Sequence, residues 1–569
     1  MEAAQEFSAR RSLLLAVGVV VALIAGVVPA FPTPAASSAV PIPERYLTQR
    51  IEWKSCFPQG PPSGLPPGSE RLECGSFAAP RNWNRPEDKI DVVIAVSRLR
   101  PASGAEPRGS VLANPGVPGV PGRLLPLVFL QADRGRLLDN MEVVGIDVRG
   151  TGDSTNVSCG NAPSSSLDPR DRSAANLDLI LDTMRLLARS CQTHSGELGR
   201  YITTEQTVRD HDLLRHLLGQ EKISWIGYSA GTWLGAYYAT YFPHRVDKFV
   251  LDSNVEFTTG WQAALRWQPR GYERRFREHF LPWVATYDNV YHLGTTAEAV
   301  RQVYEQVRAT LTERPAEVDI DGEVLTADAV TLDSAIIMSL YTKYLFPKLA
   351  RFLRAVRAAA GTSGHAIAFG QPQQAAAQLE AAKRRPHGPP LPMQTQGQQT
   401  EDAITATMSA ITCNDTPWHG DRTSLIRESE RQGRRYPLPG WYSIFQQCVF
   451  WKRPNLFLPQ PTGQGVPPVL MVQSTHDPAA PIEGAERAHR RFTGSRLLTV
   501  TGEGDHTIYA GGNPCVDNQV EAFLVDGVVP AGDLSCPGMP LPQPDAPPRL
   551  TNPLQALVKF LGLTGPLPK

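Results

Sequence analysis

The chain has 569 residues, more than one compact core holds and enough for two or three domains or for one large catalytic domain with an insertion. Lys and Arg number 56, as do Asp and Glu, so there is no global basic field to recruit nucleic acid or an anionic membrane surface. An apolar content of 41% excludes a disordered tail, while 51 Pro and 47 Gly mark many rigid loops.

Arg10 and Arg11 precede an uncharged run from Leu13 to Val28, followed by small residues and prolines down to Ser37-Ser38-Ala39. This charged, apolar and cleavable layout predicts a signal peptide over residues 1–39 and a secreted, extracellular chain. The competing reading is a retained anchor that holds the protein at the cell surface, because the apolar run approaches the ~20 residues that span a bilayer. Membrane contact is expected only in that case. Eight Cys, an even number, suit disulfides in an exported protein.

Beyond the signal, short β-branched runs alternate with helical stretches, the pattern of a mostly parallel sheet flanked by helices. Strands are predicted at Asp91–Val96, Ser110–Ala113, Val143–Val148, Ile223–Gly227, Lys248–Leu251, Val469–Gln473 and Arg496–Val500. Between about Thr258 and Gly440 the alternation fails. The chain there is helical and rich in Trp, Tyr and Arg, with an Ala/Gln/Pro-rich connection near Gln371–Gln399. The expected organisation is an α/β core over 40–257, a helical cap inserted over 258–440, and the rest of the core over 441–569. A cap so placed covers the C-terminal edge of the sheet, where open α/β folds bind ligands.

Gly227-Tyr228-Ser229-Ala230-Gly231 fits G-x-S-x-G, in which a Ser sits on a strained strand-to-helix turn with its hydroxyl exposed. Alone the pattern is weak. Here Lys222–Ile226 reads as a buried strand before it and Thr232–Tyr241 as a helix after it, which makes Ser229 the candidate nucleophile. A Ser hydroxyl needs an imidazole to take its proton and a carboxylate to orient that imidazole, in the chain order Ser, acid, His. Asp477, after the strand Val469–Gln473, is the candidate acid, and His506, after Arg496–Val500, the candidate base. Asp252 is the rival acid and His476 the rival base. The oxyanion requires two backbone donors, one from the residue after the nucleophile, Ala230, and one from the loop Asn114–Gly122, where Val117 is favoured and Gly116 is next. No H-E-x-x-H or paired C-x-x-C motif points to a metal, and no cofactor is expected.

These motifs together resemble the secreted tripeptidyl aminopeptidases and related proline-tolerant exopeptidases of actinobacteria, serine peptidases with the α/β-hydrolase fold. The resemblance runs from about Cys56 to Cys536, interrupted in the cap, and rests on Asn114–Gly122, Val143–Ser154, Gly227–Gly235, Ser474–Pro478 and Gly504–His506. Three positions depart from the family pattern: Val117 replaces a Gly, Pro121 a Ser, and Ala230 an aromatic residue. Val at a position of positive φ would be strained.

The resemblance implies a fold, the α/β-hydrolase fold with a cap, and an activity, hydrolysis of peptides near a free N-terminus with release of tripeptides through an acyl-enzyme. Peptides with a free N-terminus are then the expected partners. Without the resemblance, the residues alone reach a secreted serine hydrolase, so an esterase or lipase, or a binding module that has lost catalysis, stand as alternatives. Eight Cys permit 105 pairings. Spacing together with the resemblance selects Cys56–Cys74, Cys159–Cys191, Cys413–Cys448 and Cys515–Cys536. Asp415, in a C-x-D segment that also looks like the family's, is the candidate partner for the substrate ammonium, with Glu401 and Asp402 as alternatives.

Overall fold

Four of the strands along the middle of the sheet, Ser110–Asn114 (β4), Glu142–Ile146 (β5), Ile223–Tyr228 (β6) and Val469–Ser474 (β10), are buried at every position. Parallel strands covered on both faces read as continuous apolar runs for this reason. The computed structural model describes residues 42–162, 167–320, 323–361 and 402–545, and from Pro43 onward these belong to one compact unit. The predicted signal peptide (1–39) and the Gln371–Gln399 connection lie outside the described residues.

The remaining strands are Lys54–Ser55 (β1), Glu73–Pro80 (β2), Asp91–Leu99 (β3), Val246–Asp252 (β7), Ala316–Ile320 (β8), Glu323–Ala327 (β9), Ser495–Thr501 (β11) and Leu534–Pro537 (β12). Ten of the twelve form one sheet in the order β1-β2-β3-β5-β4-β6-β7-β10-β11-β12. From β5 to β12 every neighbouring pair is parallel, whereas β1, β2 and β3 run antiparallel. All seven predicted strands are present, each within a few residues of its expected bounds. β1, β2 and β12 were not expected. β2, Glu-Cys-Gly-Ser-Phe-Ala-Ala-Pro, carries no β-branched residue, so propensity gives no signal there and pairing with β3 supplies the stability.

One face of the sheet packs Val111, Val143, Ile226, Val250, Val472 and Leu498 against Phe129, Tyr509 and Phe523. A separate apolar cluster lies within the block expected to be a cap, where Phe276, Phe280, Trp283, Tyr304, Phe346 and Leu353 pack together. That block is mainly helical, but it also contains the antiparallel hairpin β8–β9. The short alternation of exposed Glu317 and Asp319 with buried Val318 specifies the hairpin over a window too small to stand out from the helical surroundings. The four predicted disulfides are all formed: Cys56–Cys74, Cys159–Cys191, Cys413–Cys448 and Cys515–Cys536.

Candidate active site

β6 runs straight into Ser229, which takes φ 54° and ψ −120° before the helix Ala230–Tyr241 begins. A non-glycine residue in this region is strained and persists only where its surroundings enforce it. Here the enforcement is local. The Ser229 N–H donates to the Asp252 carbonyl at 2.8 Å, and the Ser229 carbonyl accepts from the Thr232 N–H at 2.9 Å and the Thr232 hydroxyl at 2.6 Å. Glycine is required on both sides, since a Cβ at Gly227 would lie 2.3 Å from the Gly231 oxygen and one at Gly231 would lie 2.8 Å from the Asn114 oxygen.

Asp477 and His506, on the loops after β10 and β11, are brought together. Both Asp477 oxygens lie 2.9 Å from His506 Nδ1, and the pair is buried, at 0% and 1% side-chain exposure. The Ala479 and Ala480 amides donate to Asp477 Oδ1 at 2.9 and 2.8 Å, which holds the carboxylate in its acceptor role. A proton on Nδ1 leaves Nε2 as the basic atom of the ring.

Asp252 is not the ring's partner. Its Oδ2 accepts from the Ile508 and Tyr509 amides at 2.9 and 2.7 Å, and its Oδ1 accepts from the Ser253 hydroxyl. One residue therefore serves two loops, with its carbonyl on Ser229 and its carboxylate on the chain just past His506. Burial pushes the Asp252 carboxyl up to about 7, against the lowering effect of those amides. His476 lies elsewhere, with Nε2 3.0 Å from Glu278 Oε2 and its ring tilted against that of His279, centroids 4.4 Å apart.

The loop after β4 presses against the nucleophile turn. A Cβ on Gly116, which has φ 82°, would come within 2.2 Å of the Tyr228 oxygen and 2.8 Å of Ser229 Cβ. The Gly116 N–H donates to Asn114 Oδ1 at 3.0 Å and is thereby occupied. The next amide along this loop is that of Val117, and Ala230 opens the helix after the nucleophile. Val117 does adopt a positive φ, 30°.

Residues 438–536 match the family described as TAP-like protein, and residues 128–317 match the alpha/beta hydrolase fold. A tripeptidyl aminopeptidase of Streptomyces coelicolor is 30% identical over 511 residues, covering 87% of each chain. The chain belongs to the tripeptidyl aminopeptidase family. The serine protease Hip1 of Mycobacterium tuberculosis is 27% identical over 515 residues, covering 87% of this chain and 92% of that one. A carboxylesterase B of the same species is 25% identical over 480 residues, covering 81% and 86%. The protein is thus a serine peptidase with the α/β-hydrolase fold.

Within this tripeptidyl aminopeptidase family member a cleft adjoins the nucleophile turn, with about 380 Å³ of empty space counted out to its mouth. Gly116 and Ala230 lie on it, and so do Thr204, Trp233 and Trp261. The two indoles stack with centroids 4.1 Å apart. Asp415 lies behind this wall at 1% exposure. It accepts from the Thr204 N–H at 2.8 Å, the Thr204 hydroxyl at 2.6 Å and Trp261 Nε1 at 3.2 Å. Burial pushes its carboxyl up to about 6, with the Thr204 bonds opposing. Of the alternatives, Asp402 binds the Ser158 hydroxyl and the Cys159 and Asn161 amides, and Glu401 lies outside the described residues.

The His506 loop has partners that the motifs did not announce. Arg275, wholly buried, donates to Asp505 Oδ1 at 2.7 Å, and Lys343 pairs with Glu503. The Lys343 amide and the Thr342 hydroxyl also donate to Asp505, at 2.8 and 3.0 Å. The His506 N–H donates to the Tyr341 carbonyl at 2.9 Å, and the Tyr341 ring meets the imidazole edge-on. Two acids immediately before a buried His were the available signal, because buried carboxylates need cations.

Proposed function

We propose that the protein is a secreted exopeptidase that removes tripeptides from substrates with a free N-terminus, with Ser229, His506 and Asp477 as its catalytic unit. The observation that carries the reading is the bonding of both Asp477 oxygens to His506 Nδ1, on a loop tied through Asp252 to the backbone of Ser229.

The chemistry follows from that arrangement. Ser229 Oγ attacks the scissile carbonyl while His506 Nε2 takes its proton, and Asp477 stabilises the imidazolium. The Val117 and Ala230 amides receive the oxyanion. The C–N bond then breaks, Nε2 returns the proton to the leaving amine, and an acyl-enzyme remains. Water, deprotonated by the same nitrogen, releases the peptide acid and restores the serine. Two amides aimed at the developing charge supply the largest single contribution; loss of one such donor costs about 10²- to 10³-fold in rate.

Four disulfides support an oxidising, extracellular destination, which the predicted signal at 1–39 also implies. The block over 258–440 is assigned as the cap, because Arg275, Tyr341 and Lys343 all reach the His506 loop from it. Direct contact of Asp415 with a substrate ammonium would require displacing Thr204 or Trp261. The arrangement favours Asp415 as the residue that positions those two. The test is cleavage of a peptide-amide library with and without N-terminal acetylation. Tripeptides should be released from the free-amine set alone, and equal cleavage of acetylated peptides would replace the exopeptidase with an endopeptidase or esterase.

A further inference from the structure

The cleft beside Ser229 has a sidedness that the catalytic roles decide. His506 protonates the leaving nitrogen, so the leaving group must lie towards the loops after β10 and β11. Among the described residues, none that lines the cleft comes from those loops, whereas Gly116 and Ala230, which flank the proposed oxyanion position, both line it. The cleft therefore faces the acyl side of the scissile bond.

Its chemistry is restrictive. Pro118, Val120, Val148, Leu234, Ile411 and the stacked Trp233–Trp261 pair supply apolar walls, and among the described residues no lining side chain is charged. The hydroxyls and indole nitrogens on the wall are already committed, and Trp233 Nε1 donates to the Thr204 hydroxyl at 3.2 Å. The Thr204 hydroxyl and Trp261 Nε1 donate to Asp415, and the Thr207 hydroxyl donates to the Thr203 carbonyl at 2.8 Å. A charged side chain entering here would lose its hydration and meet no counter-ion.

We propose that this cleft binds the side chain of the residue that donates the attacked carbonyl, and that it selects a compact, uncharged, apolar group. The proposal rests on the reading of Ser229 and His506 given above.

The test uses the full-length chain and free-amine anilides Ala-Ala-X, with X as Gly, Ala, Val, Pro, Phe, Lys or Asp, beside acetyl-X p-nitrophenyl esters of the same residues. Ala, Val and Pro should exceed Lys and Asp in kcat/KM by about 100-fold or more. Leu234→Trp, which fills the cleft, should lower Val by about 10-fold relative to Gly, and Ile411→Ala, which widens it, should raise Phe relative to Val. Fluorophosphonate labelling shows whether each variant is folded, and if Leu234→Trp is not, Ile411→Ala decides. Preference for Lys or Asp, or an unchanged order in the folded variants, overturns the subsite. Esters that follow the apolar order while the anilides resist cleavage would uphold the subsite and remove the exopeptidase reading. Anilides cleaved regardless of X would do the reverse.

Discussion

Arg275 donates to Asp505 at 2.7 Å, and Asp505 is the residue immediately before His506. The guanidinium is wholly buried and the carboxylate nearly so, at 0% and 11% side-chain exposure. Without Arg275 the Asp505 carboxylate keeps only Lys343 Nζ, 3.9 Å away, as a cation, and breaking a buried pair costs up to about 3–5 kcal/mol. Arg275→Met should therefore lower kcat about 100-fold, the scale of a small misplacement of a catalytic group. KM should change little, labelling of Ser229 should slow in parallel, and Arg275→Lys should recover part of the rate. A fall in melting temperature with normal kcat in the folded protein would make the pair a structural bond only.

Ser229→Ala, His506→Ala and Asp477→Ala should each abolish turnover by about 10⁴-fold or more, and the double variants should be scarcely worse than the singles. Steady-state rates on one anilide give the answer. Asp252→Asn, which keeps the backbone carbonyl on Ser229, should be milder than Asp477→Asn; the opposite ranking would exchange the two acids.

Asp252 also governs how stability responds to pH. Its folded-state carboxyl, raised to about 7 by burial, holds its proton where the unfolded chain has already released it. The sign follows from linkage: this stabilising contribution is complete below pH about 4 and is lost as pH rises through about 7. Thermal melts of the wild type should show this decline superimposed on other groups, and Asp252→Asn should flatten it. An unchanged slope between pH 4 and 7 would mean that Asp252 is ionised throughout.

Asp415→Asn should lower kcat/KM for Ala-Ala-Val anilide and for acetyl-Val p-nitrophenyl ester by similar factors, about 10-fold or more, because Thr204 and Trp261 serve both substrates. A loss confined to free-amine peptides would return Asp415 to the role of direct ammonium partner.

Gly116→Ala introduces a methyl group 2.2 Å from the Tyr228 oxygen at a residue with φ 82°. The loop must shift, and the Val117 amide with it. Loss of one oxyanion donor predicts a fall of about 10²- to 10³-fold in kcat, with the protein still folded and its four disulfides intact by non-reducing peptide mapping.

The nucleophile turn was legible in the sequence because its requirements are local: a buried strand, a Ser flanked by glycines, and a helix. The His506 and Asp477 loops were legible because each follows an apolar run that could only be a central strand. Arg275, Tyr341 and Lys343 were not. They lie some 160 to 230 positions before the loop they hold, and a cation on a helix looks the same in sequence whether it meets solvent or a buried carboxylate. The edge strands were hidden for a related reason, since β2 owes its conformation to β3 and not to its own residues. Asp415 shows the converse: its segment was conspicuous, but only coordinates reveal that its carboxylate is already bonded to the chain.

The attachment of the His506 amide to Tyr341, and of Asp505 to Arg275, also sets the order in which this polypeptide can become active. The proposed serine, base and acid and the residues that hold them are scattered from residue 229 to residue 506, and every link between them spans long stretches of chain. Contacts of such sequence separation form late in folding. A nascent or truncated product ending before β11 would carry the serine without its base, and an unfolded insertion would leave the base without its seat. On the roles proposed above, peptide-bond cleavage would therefore begin only once both the sheet and the insertion that packs against the His506 loop have folded.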